Sequence, residues 1–205
     1  MRRLLNIRRE SQLFVVGSFC FALGALPGYA SLVGSRADGV TYFVGSLFFT
    51  TASFVQLRLS GRWRSGAWKA RPGWSDWWAA AVQFPGTLFF NVSTGAALIA
   101  SLSTTGIDRH VWRPDVYGST CFLVASVLAL VATTEKDGLW DPDARTWVTS
   151  WLNMAGSVFF AVSAVASYVI PDSGTVRNAA AANAGTFLGA LCFLVAAALL
   201  PPRRA

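Results

Sequence analysis

VGSLFFTTAS, residues 44–53, sets a glycine at 45, a serine beside it, a phenylalanine at 49 and a small pair at Ala52 and Ser53. Counted from the glycine, the offsets 0, 4, 7 and 8 fall on one face of an α-helix. The stretch therefore predicts a helix whose working face is a notch, an aromatic knob and a second notch.

Five further stretches carry the same face, from Gly17 to Phe21, Gly86 to Phe90, Gly118 to Phe122, Gly156 to Phe160 and Gly189 to Phe193, as Gly45 to Phe49 does here. Each is followed at the same spacing by a small pair: Gly24/Ala25, Ser93/Thr94, Ala125/Ser126, Ser163/Ala164 and Ala196/Ala197. Helices in lipid gain no hydrophobic free energy by leaving the acyl tails for one another, so they associate through close packing and hydrogen bonds. Small residues permit the approach, and the phenylalanine fills a neighbour's notch near the bilayer midplane. The third residue after the glycine sorts the stretches: it is Cys20, Cys121 and Cys192 in three, and Phe48, Phe89 and Phe159 in the others. CFLVAS at 121–126 against CFLVAA at 192–197 is the tightest match. The sorting predicts helical hairpins related by repetition, the first with its two types in reverse order.

The whole composition agrees with a membrane setting. Of 205 residues 54% are hydrophobic and 13% charged, a balance unlike that of a soluble domain. A helix needs about 20 apolar residues to cross the hydrocarbon core. Six runs qualify: Leu13–Leu32, Val40–Leu57, Trp77–Ala100, Val116–Ala132, Trp147–Ile170 and Ala179–Leu200. The opening MRRLLNIRRE, an apolar run and Gly28-Tyr29-Ala30 imitate a secretory signal peptide, and are read as a retained first span. The expected fold is an all-α integral membrane protein of six transmembrane helices in three quasi-repeated hairpins, about 13–57, 77–132 and 147–200, forming a single transmembrane domain over 1–205.

The net charge of +7 is distributed as the positive-inside rule requires for cytoplasmic termini. Arg2, Arg3, Arg8 and Arg9 precede the first span, and Arg203 and Arg204 close the chain. The loop after the second span interleaves Arg62, Trp63, Arg64, Trp68, Lys69 and Arg71, a mixture suited to anionic lipid headgroups at the cytoplasmic face. A nucleic-acid partner would need a folded aromatic platform, and this loop runs directly from one span to the next. The acidic loop at 135–145 lacks the spacing of an EF-hand and reads as a solvated turn or a docking site.

VVGSFCFALGALPGYA at 15–30 with TYFVGSLFFTTASFVQL at 41–57 resembles the YrhK-like family of small bacterial membrane proteins. That family's unit is a pair of spans with a glycine-serine-phenylalanine signature, and the resemblance is best over residues 13–57. It implies the membrane-hairpin fold and brings with it no established activity.

Chemistry leaves little trace in the spans. The one histidine, His110, lies in GIDRHVWRPD between spans, where a solvated role is expected. The three cysteines are scattered one to a span, with no CxxC pair, and no Walker loop, HExxH or GxSxG occurs. Catalytic, cofactor-binding and metal-binding residues are accordingly none, with no cofactor, and the chain is expected not to be an enzyme. Four amides remain, Gln83, Asn91, Asn153 and Asn183, with Gln56 near the cytoplasmic end of the second span, either as glue between helices or as a polar lining. Pro27 and Pro85 each interrupt a span. Two readings of function stay open. One is a non-enzymatic inner-membrane component that packs against, scaffolds or binds lipid, a membrane-protein partner or further copies of itself. The other is a channel or facilitator for a small neutral or apolar solute, gated by the midplane phenylalanines. Whether the six stripes close on one another decides between them.

Overall fold

The computed structural model describes residues 2–60, 74–99, 102–137, 140–141 and 143–200. Six long helices carry the fold: α1 (Arg2–Gly24), α3 (Ser35–Leu59), α4 (Trp74–Ala97), α6 (Arg113–Asp137), α7 (Arg145–Ala166) and α8 (Ala179–Leu199). Two short helices, α2 (Tyr29–Val33) and α5 (Thr104–Ile107), lie in connections. Among the described residues there is no strand, only an isolated antiparallel bridge between Val169 and Val176.

Among the described residues four stretches are long and apolar enough to cross a membrane: Ser35–Leu59, Thr104–Thr134, Arg145–Ala166 and Ala179–Leu199. The helices α1 and α4 fall outside that set for reasons visible in their residues. α1 stops at Gly24, so any long window in it takes in Arg8, Arg9 and Glu10. α4 holds Gln83, Pro85 and Asn91, whose polarity lowers its hydropathy.

The run expected as one span over 13–32 is thus broken. Pro27 and Gly28 follow the end of α1, and Gly28 takes a left-handed φ of 88°, a conformation that only glycine adopts freely. Pro85, by contrast, lies inside α4, which continues through it. The connection before α6 also differs from the loop expected there. It is helical from Thr104, with a π turn at Asp108–Trp112 feeding directly into α6. The indole Nε1 of Trp112 at the end of this turn donates to the carbonyl of Ala164 on α7 at 2.8 Å. His110 stands exposed on the same turn.

The long helices form a closed ring in which α1 packs on α3, α4 on α6 and α7 on α8, with α3–α4, α6–α7 and α8–α1 completing the circuit. Paired residues show antiparallel neighbours: Ser46 with Thr94 and Thr50 with Asn91 across α3–α4, Ser126 with Ser157 and Thr133 with Ser150 across α6–α7.

Close approach at the stripe glycines sets three of these contacts. A Cβ added at Gly45 would lie 2.8 Å from the Cβ of Cys20 and 3.1 Å from the carbonyl oxygen of Gly17. At Gly86 it would lie 2.8 Å from the Cβ of Cys121 and 3.3 Å from the oxygen of Gly118, and at Gly156 it would lie 3.2 Å from the Cβ of Cys192 and 3.0 Å from the oxygen of Gly189. The cysteines therefore pack into the glycine notches of the paired helices, and all three are free thiols.

Candidate functional site

The phenylalanine of each stripe reaches the centre of the ring. All six are buried, none more than 7% exposed. Phe21, Phe90 and Phe160 form one triangle, with centroids 6.4 Å apart for Phe21–Phe90 and 5.9 Å for Phe21–Phe160 and Phe90–Phe160. Phe49, Phe122 and Phe193 form a second, at 6.1, 6.2 and 5.6 Å. The edges that join the triangles are Phe21–Phe49 at 5.5 Å, Phe90–Phe122 at 5.2 Å and Phe160–Phe193 at 5.2 Å, each within one tight helix pair. The result is a trigonal prism of rings, mostly edge to face, the arrangement that the aromatic quadrupole favours.

Beside the prism lies a layer of small side chains one residue after each glycine. Ser18, Ser46, Thr87, Ser119, Ser157 and Ala190 are all almost fully buried. Across α6–α7 this layer is satisfied: the hydroxyls of Ser126 and Ser157 lie 2.8 Å apart, and Ser157 also donates to the carbonyl of Phe122 at 3.2 Å. Across α8–α1 the position of Ser126 is taken by Ala197, and the Ser18 hydroxyl is buried without a partner among the described residues. Ser157→Ala is accordingly expected to cost about 1 kcal/mol, whereas Ser18→Ala is neutral or stabilising by a similar amount. Thermal unfolding of the two variants in detergent checks this, and equal losses would mean that Ser18 has a partner after all.

Against the Phe49–Phe122–Phe193 triangle sits a cavity of about 70 Å³. Gln56, Gln83, Ser126 and Asn153 form its polar wall, and Phe14 and Leu200 face them. Gln83 and Asn153 stand three residues before their glycines, and Phe14 holds the same place in α1. The Oε1 of Gln56 is buried without a hydrogen-bond partner among the described residues. A site of this size and polarity has room for a few water molecules or one very small neutral molecule.

Of the four amides singled out in the sequence, the structure brings Gln83 and Asn153 together here. Asn91 instead donates from Nδ2 to Thr50 Oγ1 at 2.8 Å, bridging α4 to α3, and Asn183 lies exposed on α8. Gln56, the amide near the end of its apolar run, completes the wall. Eleven residues after Gly45, it falls on the stripe face.

Among the described residues no group of histidine, cysteine, aspartate and glutamate is placed to hold a metal ion. Arg62, Trp63, Arg64, Trp68, Lys69 and Arg71, expected at lipid headgroups, lie outside the described residues.

Residues 76–170 match the family model described as YrhK-like protein. The match runs from α4 through α6 to just beyond α7, not over 13–57 where the resemblance was strongest by eye. No curated protein and no solved structure matches the chain.

Proposed function

We propose that this chain, YrhK-like over residues 76–170, is a non-enzymatic multi-pass protein of the bacterial inner membrane. In this reading all six long helices are spans, paired as three quasi-repeated hairpins, with both termini on the cytoplasmic side. The like contacts made by the three glycine pairs support the repeat, and the arginines at both ends of the sequence support the orientation. Its role is that of a packing or scaffold component that binds lipid, or a partner protein, on its outer surface. It needs no cofactor and no nucleic acid.

The aromatic prism carries this conclusion. Six rings in mutual contact across the axis leave the centre of the bundle filled by protein, and the polar cavity lies on one side of them only. A channel or facilitator would need that packing to part.

Reconstitution into vesicles of bacterial lipid tests the proposal. Stopped-flow swelling with glycerol and with urea is expected to match that of protein-free vesicles. Permeation well above that background would sink the scaffold reading and promote a gated pore.

A further inference from the structure

We propose that the third hairpin binds one phospholipid, its phosphate at Arg177 and one acyl chain along a groove on α7. This rests on the lipid-binding reading above and gives it a place and a ligand class.

A shallow, open apolar groove of about 490 Å³ runs along α7, flanked by α6 and α8. Its wall is Val158, Ala161, Val162 and Val165 of α7, with Leu123 of α6 and Ala181 of α8 at its sides. The only cation among its lining residues is Arg177, at the end where α8 begins. Backbone bonds fix that end: Arg177 N–H donates to Tyr168 at 2.8 Å, and Asn178 N–H to Ala166 at 3.0 Å. The guanidinium pairs with no acid among the described residues.

The chemistry is that of an amphiphile with an anionic head. Arginine offers a planar fork of donors matched to phosphate oxygens. The N-terminus of α8 opens at Ala179 beside it and adds the favourable end of a helix dipole. From Val165 to Val158 the groove follows α7 for about 10 Å, roughly two-thirds of the ~15 Å depth of one leaflet's hydrocarbon. Any outward face of a bundle meets lipid tails, but this one joins a concave apolar wall to a charge held at its head. Two residues after the glycine, where α7 has Val158, α1 has the larger Phe19 and α4 the larger Leu88. A hydrophobic peptide would have no use for the exposed cation, and free phosphate none for the valines.

Native mass spectrometry of the full chain, released from nanodiscs of phosphatidylglycerol and phosphatidylcholine, is the test. Wild type is expected to retain one more phosphatidylglycerol than Arg177→Gln, with about a ten-fold weaker apparent affinity in the variant. Ala161→Trp, which fills the groove and leaves the arginine, is expected to lose the same lipid. Both variants should unfold thermally as wild type does, since neither position belongs to the aromatic core. Equal lipid retention by wild type and both variants overturns the proposal, as does a second copy of the chain retained in place of the lipid. Free phosphate protecting Arg177 while Ala161→Trp still binds it also overturns it, by assigning the site to the anion alone. Alkaline carbonate extraction separates this failure from that of the broader reading: a chain released from membranes overturns both, and one that stays embedded without the lipid overturns the groove only.

Discussion

Replacing Phe90 and Phe160 together by alanine is expected to lower the stability of the detergent-solubilised protein by about 5 kcal/mol. The two rings are 5.9 Å apart in one triangle, so the cavity left is shared, and the double loss should fall short of the sum of the single ones. Little of the effect comes from exposure to solvent, because lipid tails are as apolar as the ring. It comes from dispersion contacts forfeited at the centre of the ring of helices. Phe89, half-exposed on the outer face of α4, provides the control, and its alanine variant should change stability little. Steric trapping or thermal unfolding reads the difference. A double variant that stays as stable as wild type would remove the rings from the structural role assigned to them, whatever its permeability.

A Gly189→Val variant is expected to be destabilised by about 3 kcal/mol. The first added carbon would press on the Phe160 ring and lie 2.9 Å from the carbonyl oxygen of Gly156, and backbone oxygen cannot rotate away as a side chain can. To admit it α7 and α8 must separate, which also pulls Phe193 from Phe160 and opens an edge of the prism. Gly95→Ala is the matched comparison. There the nearest atom is Cε2 of Phe43 at 3.3 Å, the outer part of a side chain that can shift by a few tenths of an ångström. The yield of folded protein and its unfolding temperature should separate the two variants clearly. If Gly189→Val behaves like Gly95→Ala, the tight α7–α8 approach is not what holds that pair.

The stripe was legible because it is local: glycine, phenylalanine and the small pairs show their common face by spacing alone, before any neighbour is known. The helical class followed from the same spacing and from composition. Which amides meet was legible only in part. Gln83 and Gln56 lie on the stripe face by offset, whereas Asn91, one residue past its phenylalanine, and Asn183, six before its glycine, turn away from it. The π turn before α6 was not legible, since what it positions is Trp112 against a carbonyl on α7, a contact between segments distant in the chain. The end of α1 at Gly24 was hidden by hydropathy, which reads on through Ala25 and Leu26, although Pro27 and Gly28 marked the break. The signature recurs in every hairpin, so its spacing alone does not distinguish residues 76–170, where the YrhK-like match lies, from 13–57.

Each hairpin contributes one corner to each triangle of the prism. A chain with a single hairpin of this kind would therefore have to assemble as a trimer about a three-fold axis to close the same core, and every side chain near that axis would then occur three times. Joining the hairpins in one polypeptide removes that restriction. The positions three before the glycine are free to be Phe14, Gln83 and Asn153, two amides and a ring. The polar cavity they border can then have amides on some of its sides and a ring on another, an asymmetry that three identical subunits are barred from building.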